Sequence, residues 1–190
     1  MKKPIMLVLT LISLQGCVGA FVAGAATGGL AVYDHREITE IKDDTALLLK
    51  IERALAKDKD FQDSHIVVSS YSKRILLAGQ TPRASLRVKA EKIARAFKGV
   101  DRVYNEITIS SPTAMMTRTG DTWITTKVKT EMLATKDLKS GSIKVITENG
   151  SVFLMGEVSK KQAGMAVNIA RQVTGVQRVV KVFDYTKPTA

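Results

Sequence analysis

Two stretches of the chain are versions of one another. Asp44–Phe61 reads DTALLLKIERALAKDKDF and Asp121–Leu138 reads DTWITTKVKTEMLATKDL, with the same start, the same length and a similar apolar spacing. At an offset of 77 residues the match runs on: Lys50 pairs with Lys127, Ile66 and Val68 with Ile143 and Val145, and Leu77 and Gly79 with Leu154 and Gly156. At an offset of 76, Ile93-Ala94-Arg95 pairs with Ile169-Ala170-Arg171, and Gly99-Val100 with Gly175-Val176. A single one-residue indel reconciles the two segments, so the chain holds two copies of one small domain. The expected domains are 43–110 and 121–187, joined by a short linker, 111–120, that begins Ser111-Pro112.

Each copy reads helix, strand, strand, helix, strand. In the second copy Asp121 is the expected N-cap of the first helix, its carboxylate accepting from free amides of the first turn. Ile124, Val128 and Met132 then recur every four residues on one face. Ser142–Thr147 alternates as a strand, Asn149-Gly150 is a strong two-residue hairpin turn, and the returning strand is 151–158. Ser159 caps a helix running to about Thr174, Gly175 ends it, and Gln177–Tyr185 closes the domain. A strand–helix–strand connection of this length implies a right-handed crossover and a parallel pair. The expected class is α+β, with a mixed three-stranded sheet packed on two helices in each copy.

The N-terminus carries a separate message. Residues 1–16, MKKPIMLVLTLISLQG, combine two lysines, an apolar run from Ile5 to Leu14 and then small or polar residues, the layout of a secretory signal. The run is too short for a bilayer core of about 30 Å. The single cysteine, Cys17, follows at once, and Leu14-Gln15-Gly16-Cys17 resembles the lipobox of bacterial lipoproteins, although Gln15 is not the commonest residue at its place. That resemblance implies cleavage before Cys17 and acylation of its thiol and new amine. Val18 stands where Asp would signal retention in the inner membrane, so the resemblance points to the outer membrane. Residues 18–42 read as a flexible tether with a root-mean-square reach of about 25–30 Å.

The order of elements, the Leu77-Ala78-Gly79-Gln80 and Leu154-Met155-Gly156-Glu157 motifs, and helices ending in Gly-Val before the last strand together resemble the BON domain. With the signal, lipobox and tether, the whole chain is similar to outer-membrane lipoproteins carrying two BON domains. The resemblance implies a non-enzymatic protein facing the periplasm. It also implies binding of anionic phospholipid of the phosphatidylglycerol type through the first helix of the second domain, support of envelope integrity and accumulation at division sites. The phospholipid-contacting set it implies is Trp123, Thr126, Lys127, Val128, Thr130 and Leu133.

The residues themselves argue against catalysis. His35 in the tether and His65 at a strand start have no partner at a metal-ligand or triad spacing, and both read as solvated. Ser159-Lys160-Lys161 is a helix cap followed by surface lysines, and no phosphate cradle or cysteine pair exists, so no catalytic residue, metal or cofactor is expected. The formal charge of +11 is spread over both copies: 13 basic against 9 acidic groups in 43–110, and 11 against 6 in 121–187. For an exported, acylated chain the available polyanion is lipid. Nucleic acid fits the charge but not the export signal or the lack of a basic stripe with exposed aromatics.

One face separates the copies. At about 100° per residue from Trp123, the residues Ile124, Val128 and Met132 occupy one arc, matched in the first copy by Leu47, Ile51 and Leu55. Trp123 and Leu133 lie outside it, with Thr126, Lys127, Thr130 and Ala134, and their counterparts Ala46 and Ala56 are small. A packing requirement would act alike on both copies, so large apolar groups on one outer face ask for a partner. An indole beside lysines suits a bilayer interface. Each basic group near an anionic surface adds about 1 kcal/mol, so Lys127, Lys129 and Lys136 weigh alongside the ring. Two alternatives stay open from the residues alone: Trp123 packs on the other domain or on Met115 and Met116 of the linker, or the face docks an envelope protein as an adaptor.

Overall fold

The computed structural model describes residues 36–186. The expected signal, Cys17, most of the tether and His35 lie outside the described residues. Each repeat builds the same order. The first comprises α1 (Ile38–Lys57), β1 (His65–Tyr71), β2 (Arg74–Thr81), α2 (Ala84–Arg95) and β3 (Arg102–Ile109). The second comprises α3 (Met115–Ala134), β4 (Ile143–Glu148), β5 (Ser151–Val158), α4 (Lys160–Gln172) and β6 (Arg178–Tyr185). In both sheets the middle strand pairs antiparallel with its hairpin partner and parallel with the last strand, in the orders β1-β2-β3 and β4-β5-β6. The α+β class with two mixed three-stranded sheets stands as expected.

The first helix of each copy starts earlier than the sequence suggests. α3 begins at Met115 and α1 at Ile38, each six residues before its aspartate. Asp121 is therefore no N-cap. It sits buried inside α3 and accepts hydrogen bonds from the backbone N–H groups of Asn149 (2.7 Å) and Gly150 (2.8 Å), the tip of the β4–β5 hairpin. Asp44 does the same for Ser72 (2.7 Å) and Lys73 (2.8 Å), and also takes Ser70 Oγ at 2.9 Å and an ion pair with Arg36. All four tip residues have positive φ, 45° and 62° at Ser72 and Lys73, 48° and 68° at Asn149 and Gly150. For a non-glycine residue that conformation costs roughly 1–2 kcal/mol. A hydrogen bond to a charged group contributes about 1.5–3 kcal/mol and offsets it. The last residues of the expected tether, 38–42, and of the linker, 115–120, are thus helical.

The hydrophobic–glycine motif has a steric cause. Gly79 faces Ile66 and Gly156 faces Ile143 across the two hairpins. A Cβ on Gly79 would stand 2.0 Å from the His65 carbonyl oxygen, and one on Gly156 would stand 2.2 Å from that of Ser142. Ser159 caps α4 as expected, its Oγ accepting from the Gln162 N–H at 3.3 Å, and Gly175 follows the helix with φ +90°.

Strand alternation gives each sheet two apolar faces. Val152 and Leu154 join Ile124, Val128, Met132, Ala163 and Ala166 in the core of the second domain, as Ile75 and Leu77 join Ile51, Leu55 and Ala90 in the first. The alternate residues Leu76, Ala78, Phe153, Met155 and Val182 meet Tyr71 in a third core, where the two sheets pack on each other. Polar contacts ring that junction. Tyr71 Oη donates to the Ser142 carbonyl at 3.2 Å, Lys144 Nζ donates to the Ser70 carbonyl at 3.1 Å, Arg178 lies 3.6 Å from Glu106, and Arg74 pairs with Asp184. The described chain is therefore layered helix, sheet, sheet, helix. His65 opens β1, at the strand start expected, but its side chain is not freely solvated: it is part-buried, with Nε2 3.4 Å from Glu148 Oε2 of the other sheet.

Candidate functional site

Sheet-to-sheet packing leaves the helix layers facing outwards. Along α3, Ile124, Val128 and Met132 turn into the core, at 6%, 0% and 1% exposure. Val128 is thus removed from the expected contact set. It lies on the buried arc, four residues from each of the other two, and its side chain is not part of the exposed face. Trp123, Thr126, Lys127, Thr130 and Leu133 are all exposed, and the structure brings these five together on the outer face of one helix.

Among them Trp123 is 51% and Leu133 60% exposed. The early start of α3 adds two more large apolar groups, Met115 at 73% and Met116 at 85%. Met116 precedes Trp123 by seven residues and Met115 precedes Leu133 by eighteen, spacings that return to nearly the same side of a helix. The sequence places these methionines in the linker, because a helix that starts at Asp121 leaves them outside its periodicity. Packing of Trp123 on the other domain does not describe the fold, since the interdomain contact is made by the opposite faces of the sheets.

The polar groups on this face are arranged to expose little unsatisfied hydrogen-bonding capacity. Thr119, Thr126 and Thr130 donate their hydroxyls to the carbonyls of Met115 (3.2 Å), Thr122 (2.9 Å) and Thr126 (2.9 Å), each four residues back. Such back-bonding satisfies the hydroxyl within the helix. These threonines then place their hydrogen-bonding demand on the helix and not on a partner. Lys127 Nζ lies 3.8 Å from Glu131, with both side chains about half exposed, a loose pair that screening weakens further. Lys129, on the flank, is half-buried, and burial lowers its pKa from the ordinary lysine value. An anionic neighbour would favour its charged form.

Among the described residues there is no group of three or more His, Cys, Asp or Glu side chains that could hold a metal, and no helix long and apolar enough to cross a membrane. A concavity of about 330 Å³ lies in the first domain, lined by residues that include Glu52, Phe61 and His65, away from α3.

Repeated αββαβ units with this hairpin glycine define a class, and a family model confirms it. The BON domain matches residues 43–111 and 120–187, and the chain belongs to the BON-domain family. It is similar over nearly its full length to the outer membrane lipoprotein DolP of Haemophilus influenzae, at 38% identity over 186 residues, 97% of this chain and 96% of that protein. That relationship places it among outer-membrane lipoproteins with two BON domains. It is also 38% identical over 155 residues to the 21 kDa hemolysin of Actinobacillus pleuropneumoniae, covering 81% of this chain and 80% of that protein. The osmotically-inducible protein Y of Escherichia coli is 29% identical over 146 residues, 75% of this chain and 73% of that protein. Among solved structures, the C-terminal domain of CdsD, a structural protein of the Chlamydia trachomatis type III secretion system, covers 76% of this chain and 67% of its own. At 14% identity and a TM-score of 0.30, that likeness is too weak to bear on the fold.

Proposed function

We propose that the chain binds anionic phospholipid through the outer face of α3. The acylated Cys17 holds it to the outer membrane, and it supports envelope integrity there and at the division site without catalysing a reaction. The observation that carries this reading is the apolar run Met115, Met116, Trp123 and Leu133, all more than half exposed beside Lys127. Such a run on a 20-residue helix spans about 30 Å, enough to lie along a membrane surface. An indole at the headgroup level keeps its N–H hydrated while its ring is buried, and the threonines present satisfied hydroxyls.

Because Trp123 is the single tryptophan, its emission reports this face alone. Titrating the untethered protein with phosphatidylglycerol vesicles is expected to shift that emission to shorter wavelength, and phosphatidylcholine vesicles are expected to do so less. An unchanged spectrum at saturating anionic lipid would refute the reading and favour an adaptor that docks an envelope protein through the same face.

A further inference from the structure

We propose that His65 and Glu148 form a pH-sensitive clasp across the junction of the two sheets, coupled through Gln80 to the chain that enters α3. Glu148 closes β4 and is 6% exposed, so its carboxylate is largely removed from water. One oxygen, Oε1, accepts from Gln80 Nε2 at 2.9 Å, and the other, Oε2, lies 3.4 Å from His65 Nε2. Gln80 is itself 1% exposed, and its carbonyl oxygen accepts from the Thr113 backbone N–H at 3.2 Å and its hydroxyl at 3.5 Å. The junction, the first sheet and the segment leading into Met115 therefore share one hydrogen-bonded chain.

A buried carboxylate is costly unless a cation pairs with it. Imidazole is the side chain whose ordinary charge change falls between about pH 5 and 8. Protonated, His65 completes a charge pair across the junction. Neutral, it leaves Glu148 with an amide as its main donor.

Charged groups face the pair from both domains. On the first-domain side, Glu52 of α1 and Asp58, which precedes the Lys59–Phe61 turn, line the same cavity as His65. Lys89 of α2 engages Asp58 at 2.6 Å, and Lys144 of β4 acts on Glu52. On the second-domain side, Asp121 has its oxygens occupied by the amides of Asn149 and Gly150, the two residues that follow Glu148. The apolar junction of Leu76, Phe153, Met155 and Val182 does not titrate, so the clasp adjusts docking without dismantling either domain.

The direction follows: pairing is strongest on the acid side of the imidazole range and is lost as pH rises through it. The test is a double-mutant cycle of His65→Gln and Glu148→Gln in the full chain in detergent micelles. Urea unfolding would be followed at about pH 5.5 and about pH 8, either side of the ordinary imidazole value. A coupling of about fivefold in the unfolding constant is expected at the lower pH, falling towards none at the higher. His65→Arg is expected to keep the coupling at both. Equal coupling at both pH values, or a His65→Arg variant as pH-dependent as the wild type, would each overturn the proposal.

Discussion

α1 and α3 are the same helix used twice, and they part company on one side only. Inwards, Leu47, Ile51 and Leu55 match Ile124, Val128 and Met132, and all six are buried. Outwards, Ala46 and Ala56 stand where α3 has Trp123 and Leu133, and Thr39 stands where it has Met116. The contrast is not absolute. Ile38 matches Met115 and is 70% exposed, and Leu49, at 39%, matches Thr126. What α1 lacks is a large apolar group at the positions of Met116, Trp123 and Leu133, and any aromatic on that face. The fold requires the inner pattern in both copies, and nothing in the fold requires the outer pattern in either.

That division of labour is open to attack from several directions. The hardest blow falls on the shared side. Ile51→Asp and Val128→Asp each bury a charge at a fully enclosed position, and each is expected to cost on the order of 4 kcal/mol or more and to unfold its own domain. Circular dichroism and urea titration would show it, and tolerance at either site would break the equivalence of the copies. The aspartate ties come next. Asp44→Ala is expected to cost about 3 kcal/mol and Asp121→Ala about 2 kcal/mol, because Asp44 also holds Arg36 and Ser70 Oγ. Reversed ranking in chemical denaturation would mean that the hairpin amides, and not the added partners, set the cost. The gentlest change sharpens the outer side. Ala46→Trp with Ala56→Leu, made in a Trp123→Glu background, should alter stability by no more than about 0.5 kcal/mol. It should give the first domain measurable affinity for anionic vesicles, and no gain would show that the α3 face needs more than its apolar groups.

Much of this was legible beforehand, for a physical reason. Repeats constrain one another, so the 77-residue offset showed which positions were shared before any contact was known, and the core arc followed from helical spacing. Ser159, Asn149-Gly150 and Gly175 were readable because caps and tight turns depend on local backbone chemistry. Asp121 is misjudged for the same reason turned round. A local rule makes it a helix cap, whereas its carboxylate, like that of Asp44, binds amides 28 and 29 residues downstream. That error hid the first six residues of α3, and with them Met115 and Met116. Val128 entered the contact set through the family resemblance although its spacing already put it with the core. The packing of sheet on sheet was not legible, since Leu76, Phe153 and Met155 look like ordinary strand residues until a second sheet covers them. His65 belonged to that hidden junction and was misjudged with it.

The most direct test of the central claim is flotation of the untethered protein with phosphatidylglycerol vesicles, comparing wild type with Trp123→Glu. Trp123 is exposed and outside the core, so the variant should keep wild-type unfolding behaviour. It should lose vesicle affinity by a factor on the order of ten or more, because an interfacial aromatic anchor is replaced by a charge that anionic lipid repels. Equal flotation of the two proteins, with both folded, would contradict the account.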